Sequence, residues 1–193
     1  MSNPEIPAGT WDIDPAHTTV GFTVRHMMVS KVRGRFGSVS GVVTTTPELS
    51  GSHVEASVDM TSVDTGDANR DQHLRTSDFF DIEQFPSMDF TSSALKVLSG
   101  SGSDYELTGD LTIRGVTKPV TLNLDFGGVG QDPWGGTRIG LEAKGTINRK
   151  DFGLEYNSAL EAGGVLIGDK VSIELDVEAV LQAPAEVAAA TPT

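Results

Sequence analysis

"YELTGDLTIRGVTKPVTLNLDF", residues 105–126, holds two alternating runs on either side of a turn. Tyr105, Leu107, Gly109, Leu111 and Ile113 fall on one side of an extended chain, against Glu106, Thr108, Asp110 and Thr112 on the other. After "RGVTK" at 114–118, Leu122, Leu124 and Phe126 repeat the spacing. Side chains alternate across a strand, so the pattern predicts two half-buried strands joined by a hairpin.

The same period of two recurs along the chain. Val20, Phe22, Val24 and His26 share a face, as do Val54, Ala56, Val58 and Met60. Ile139, Leu141, Ala143, Gly145 and Ile147 form another set, and Val171 through Leu181 a last one. With two weaker runs at 32–45 and 87–98, the count comes to about eight strands. Gly/Pro/Asp clusters at 47–51, 99–104 and 130–136 have turn chemistry. One face of each strand is polar, and no amphipathic helix is long enough to cover the apolar face. The sheet must therefore fold onto itself, as a sandwich or as a closed barrel.

Eight antiparallel strands in a barrel enclose packed side chains or one small ligand. The inward sets include Ala56, Ser92, Ala94, Gly109, Ala143, Gly145 and Ala179. Small residues facing a lumen leave volume that an apolar guest would fill. A sandwich whose small and large residues interdigitate satisfies the same alternation, and at this point both remain open.

The 193 residues, 37% hydrophobic, fit one domain. Residues 1–8 read as a flexible tail, 9–182 as the barrel, and the Ala/Pro/Thr-rich 183–193 as a disordered tail. A net charge of −13 argues against nucleic acid and against adsorption to anionic lipid. The absence of cysteine excludes disulfides, thiolate metal sites and a cysteine nucleophile. "MSNPEIPAGT" has neither a basic n-region nor an apolar h-region, which makes the cytoplasm the expected compartment. No run approaches the ~18 apolar residues of a membrane span, so the chain is not expected to be membrane-integral.

One stretch breaks the alternation: "DANRDQHLRTSDFFDIEQFP", 67–86. Asp71 and Arg75 stand at i and i+4, a supportive helix pair. Ser77 or Asp78 offers an N-cap to a second helical piece anchored by Phe79, Phe80, Ile82 and Phe85, and Pro86 stops it. Two short helices packed across one end of the barrel are predicted. They either plug it or frame its mouth.

Catalytic motifs are missing. No H-E-x-x-H, G-x-S-x-G or G-x-x-x-x-G-K-[ST] occurs, and His17, His26, His53 and His73 have no metal-ligand spacing. An enzyme reading rests on His73 with Asp71 or Asp67 alone.

Four segments resemble the YceI-like family of lipid- or polyisoprenoid-binding proteins: "DIDPAHTTVGFTVRHMMVSKVRGRFGSVSG" (12–41), "SVDTGDANRDQHLRTSDFFDIEQFPSMDF" (62–90), "LTGDLTIRGVTKPVTLNLDF" (107–126) and "GTINRKDFGL" (145–154). The resemblance spans roughly residues 10–181. It implies an eight-stranded antiparallel lipocalin-like barrel that holds a long isoprenoid or related amphiphile, a prenylated quinone among the candidates, and needs no other cofactor. The family includes periplasmic members made with a signal peptide, and this chain departs from them there.

On that reading the lumen is lined by Phe22, Val24, His26, Phe36, Leu111 and Ile113, together with Leu124, Ile147, Ile173 and Leu175. The lid and mouth comprise Arg70, His73, Leu74, Arg75, Phe79 and Phe80. Met27 and Met28 add soft side chains that repack around a guest. Arg149 and Phe152 end the seventh run, where a guanidinium meets a head group or pairs with Asp78 or Asp151. His26 is read either as a satisfied core histidine or as a contact to the lipid's polar end. The competing readings are a small-molecule enzyme at the barrel mouth and a stress-response interaction protein with a solid barrel. A homodimer stays open.

Overall fold

The computed structural model describes residues 6–98, 104–161 and 163–183. In chain order its strands are β1 (Gly9–Ile13), β2 (Thr19–His26), β3 (Ser30–Phe36), β4 (Val39–Thr45), β5 (His53–Asp59) and β6 (Val63–Asp64). One helix, α1 (Ala68–Arg75), precedes β7 (Ser87–Val97), β8 (Asp104–Ile113), β9 (Val116–Gln131), β10 (Thr137–Asn148) and β11 (Ile167–Leu181). All pairings are antiparallel.

Eight strands close into a barrel: β1-β4-β5-β7-β8-β9-β10-β11, with β11 returning to β1. The other three extend it. β1 and β2 lie along the same edge of β11, β1 against Ala179–Leu181 and β2 against residues 167–176. A 3-10 turn at Pro15–His17 separates them, and the Asp14 carboxylate caps it by accepting from the Ala16 N–H. β3 and β4, which the sequence reading merged into one run, are likewise two halves that pair with β2 and β1. Beyond β3 the ladder gains only the two residues of β6. That gap is where the helical segment sits.

Alternation fixes which face is inside. In β8, Tyr105, Leu107, Gly109, Leu111 and Ile113 are all buried, as the period of two requires. The small residues serve differently from the expectation. Gly109 does not open onto free lumen: a Cβ there would lie 2.5 Å from the Phe90 ring and 2.6 Å from the Thr91 carbonyl. Gly145 is covered by Leu122 in the same way. Ala94 is exposed, because a bulge between Ser92 and Ala94 shifts the register and turns it outward. Ala56 and Ala143 do face the lumen.

One end of the barrel is filled. Trp11, Tyr105, Phe126, Ile139 and Ala179 pack there, with Trp11 fully buried and its Nε1–H donating to Thr45 Oγ1 at 2.8 Å. Ile6 packs on the same cluster, and the Pro7 carbonyl accepts from Thr45. Residues 1–5 and 184–193 of the expected tails, and most of the 99–104 turn, lie outside the described residues.

Beside this end Arg138 joins three carboxylates. Its Nη1 donates to Asp14 at 2.7 Å and to Glu178, and its Nε to Asp132 at 2.8 Å. Arg138, with His17 and the Ala16 N–H, holds Asp14 down to a pKa of about 2, from an ordinary 3.8. The depressed pKa contributes stability above the ordinary value that is lost as pH falls through the folded one. Arg138→Gln is therefore predicted to destabilise the fold at neutral pH, and its deficit should narrow as pH falls from 3.8 toward about 2. Thermal melts of both proteins across that range measure this. A deficit that does not change with pH would contradict it.

Candidate functional site: an apolar cavity and its mouth

The barrel encloses a cavity of about 390 Å³. All ten residues assigned to the lumen line it: Phe22, Val24, His26, Phe36, Leu111, Ile113, Leu124, Ile147, Ile173 and Leu175. Its wall is overwhelmingly apolar. Most of the polar lining groups gather where residues 65–79 and 149–167 meet the end of β2: Arg25, His26, Thr65, Arg70, His73, Arg149 and Tyr156. This is the cavity's polar end.

The segment between β6 and β7 borders it. Asp67 caps α1 by accepting from the Arg70 N–H at 2.9 Å, which holds the Asp67 pKa below its ordinary value. The helix is held by polar staples more than by an apolar stripe. The buried Asp71 accepts from the Thr65 N–H at 2.9 Å and its hydroxyl at 2.6 Å. Arg70 donates to the Thr65 hydroxyl and carbonyl. Arg75 donates to the Thr61 and Val63 carbonyls. The expected Asp71–Arg75 pair does not form, since both side chains are spent on residues 61–65. The second expected helix is a series of turns, in which Phe80 N–H reaches the Leu74 carbonyl and Asp81 adopts φ 51°. Apolar rings hold those turns in place: Phe22, Phe36 and Phe80 form a tilted row with centroids 5.6 and 5.9 Å apart.

Of the residues expected at the lid and mouth, Arg70, His73, Leu74, Phe79 and Phe80 line the cavity. Arg75 does not, because its guanidinium turns to the strand behind the helix. Met27 and Met28 also lie off the cavity, 45% and 57% exposed at the β2–β3 tip. Phe152, 1% exposed, packs between Leu111, Ile113 and Leu154 and belongs to the wall's outer support rather than its lining. Arg149 reaches the cavity edge, but its guanidinium is consumed by backbone: it donates to the carbonyls of Leu154, Tyr156, Gly168 and Ile167. Its acidic neighbour is Asp169 at 3.5 Å, not Asp78 or Asp151. Burial lowers the Arg149 pKa from its ordinary value, and the Asp169 charge opposes that shift. His73 pairs with Asp78 at 2.8 Å, not with Asp71 or Asp67, and its ring meets Phe79 and Tyr156 edge-on at 5.0 and 4.9 Å.

Sequence reasoning missed Tyr156, Arg25 and Thr65. Tyr156 stands in a stretch with no periodicity, where a lone aromatic was its only signal. Arg25 sits on the outward phase of β2, and it joins the lining because the strand ends there. Phe90, also missed, lay in the weak 87–98 run, whose phase the bulge obscures.

A YceI-like domain model matches residues 11–179. Protein YceI of Escherichia coli is 41% identical over 145 residues, covering 75% of this chain and 74% of that one. Among solved structures, BcnA of Burkholderia cenocepacia superimposes with a TM-score of 0.72 at 24% identity, over 86% of this chain and 98% of that one. A polyisoprenoid binding domain from Saccharophagus degradans, implicated in plant cell wall breakdown, gives a TM-score of 0.67 at 17% identity, over 91% and 100%.

Arg149 and His26, two of the basic side chains at this end, separate by experiment. Arg149→Met takes the side-chain donor from the buried Leu154 carbonyl and the part-buried Tyr156 and Gly168 carbonyls, while Ile167 keeps Asn157, and should cost about 3 kcal/mol or more, at ~1–3 kcal/mol for each unsatisfied group. The His26 ring makes no hydrogen bond or ion pair among the described residues. His26→Leu should therefore change stability by less than about 1 kcal/mol. Urea denaturation reads both, and equal losses would contradict the assignment.

Proposed function

The chain belongs to the YceI-like family, and we propose that it binds a long-chain isoprenoid or related amphiphilic lipid in the lumen of its barrel. The observation that carries this reading is the apolar cavity of about 390 Å³ with its polar groups gathered at one end, which we read as its mouth. An empty apolar space of that size forfeits packing along its whole wall, and an apolar chain restores it. A strongly hydrated ligand would leave its polar groups unpartnered against Val, Leu and Phe side chains. The polyisoprenoid binding described for the Saccharophagus domain, which shares the fold, supports the same class of guest.

The mouth favours an amphiphile over a plain hydrocarbon. His26, Arg70, Thr65 and Tyr156 place donors and acceptors at one end of an otherwise apolar space. Within the lipid class we propose a prenylated quinone, whose ring oxygens meet these groups while the tail lies along Leu111, Leu124 and Ile173. The role is storage, transport or sequestration, with no reaction assigned to the mouth.

Chain length tests the reading. Each buried methylene contributes ~0.8 kcal/mol, so a five-carbon unit gives roughly 3–4 kcal/mol gross. Association costs on the order of 4–15 kcal/mol, so one or two units should barely bind. Longer prenyl alcohols should bind tightly until the lumen is full. Ala143→Phe, in the cavity wall, should shorten the longest chain that still gains affinity. Titration of a prenyl-alcohol series against both proteins measures this, and equal affinity at every length would contradict it.

A further inference from the structure

The β2–β3 hairpin carries three local costs that the fold does not explain. Its tip residues Met27, Met28 and Val29 are 45%, 57% and 81% exposed. Met27 and Met28 both hold left-handed backbone, at φ 51° and 62°. Hairpin turns normally fill that geometry with Asn and Gly. Arg25 and Lys31 stand directly opposite each other across the ladder, an arrangement of like charge that weakens a strand pair.

The charge here also reverses that of the molecule. The chain carries −13, yet no Asp or Glu occurs between Pro15 and Pro47. The cross-strand register pairs Arg25 with Lys31, Thr23 with Arg33 and Gly21 with Arg35, so all four cations share one face. Arg35 pairs with Asp64 at 3.2 Å. Among the described residues, Arg25, Lys31 and Arg33 enter no ion pair.

The apolar tip is continuous with the cavity mouth. The Met27 N–H donates to the Leu166 carbonyl at 2.8 Å, and Leu166 lines the cavity beside Val24 and His26. A Cβ at Gly164 would lie 3.7 Å from Met28, and its neighbour Val165 is 39% exposed. An apolar rim flanked by cations thus leads into the lumen.

We propose that this hairpin docks the barrel mouth on an anionic lipid surface. Met27, Met28, Val29 and Val165 leave water for the acyl boundary, while Arg25, Lys31 and Arg33 meet the headgroup phosphates. Apolar insertion and a basic patch together give the two signals that stable peripheral attachment requires. Screening over about 8 Å at physiological ionic strength lets this local face act against the acidity of the body. The net charge alone argues the opposite, and the distribution overrides it. A second copy of this chain is the weaker fit, because an isologous contact between two tips brings two cationic faces together. Docked this way, the mouth opens toward the bilayer and a lipid passes between the two without crossing bulk water.

Flotation of the 193-residue chain with phosphatidylcholine vesicles, with and without phosphatidylglycerol, tests the proposal. The protein should float with the anionic vesicles only, and less so as salt rises. Lys31→Gln with Arg33→Gln should weaken that binding on the order of 30-fold, at about fivefold for each cation lost. Val29→Asp should abolish flotation. Both variants should keep the parent's melting temperature and its prenyl-alcohol affinity in solution, which separates docking from cavity binding. Failure of the parent to float, equal flotation with neutral vesicles, or variants that float like the parent would each overturn the proposal. So would sedimentation showing a parent dimer that Val29→Asp dissociates, which would make the tip a contact between copies.

Discussion

Everything inside this barrel depends on β1, a five-residue strand that pairs with β4 on one edge and β11 on the other. Through Trp11, opposite both Val43 and Leu181, it joins the first and last parts of the chain into one continuous ladder. A closed ladder has no free edges in the ring and therefore a fixed circumference. Its inward residues cannot collapse further onto each other to remove unfilled space. Trp11 anchors that closure: its indole N–H reaches Thr45, whose hydroxyl reaches the Pro7 carbonyl, so the ring closes around a satisfied polar chain rather than an orphaned donor.

From that fixed circumference the two ends diverge. Near β1 large side chains suffice, and Trp11, Tyr105, Phe126 and Ile139 fill the section. Toward the other end β3 is joined only by the two residues of β6, so the wall is completed by α1 and the turns after it. Such a patch cannot rely on ladder hydrogen bonds. It uses Asp71, Arg70 and Arg75 as side-chain staples to residues 61–65, leaving Leu74, Phe79 and Phe80 to face the lumen. Arg149 does the corresponding work opposite, tying residues 154–156 to the start of β11. This end is held by charged side chains spent largely on backbone, with Asp71 and Arg149 buried among them, which preserves both its shape and the apolar character of the lining.

Much of this was legible in the sequence, for a reason confined to strands. A period of two states which side chains share a face, so Leu111 and Ile113, Ile147 and Ile173 were put on inward faces from alternation, and the family resemblance made those faces a lumen. The method fails where the period breaks. The bulge after Ser92 reversed the phase of Ala94, and the 3-10 turn at Pro15 hid that β1 and β2 share one edge of β11. Glycine was ambiguous for a different reason. An inward Gly109 reads as empty space until the Phe90 ring is seen lying across it. Polar partners were least legible of all: Asp71 with Thr65, His73 with Asp78 and Arg149 with four carbonyls depend on turns that spacing does not encode.

The closed ring leaves a space the chain itself does not fill. Native mass spectrometry of freshly purified protein tests it most directly. The spectrum should show a population at the mass of the chain plus one apolar ligand, which solvent extraction removes and which returns on adding a prenyl lipid with a rise in melting temperature. A single species at the bare chain mass, unchanged in mass and melting temperature by any prenyl lipid supplied, would contradict it.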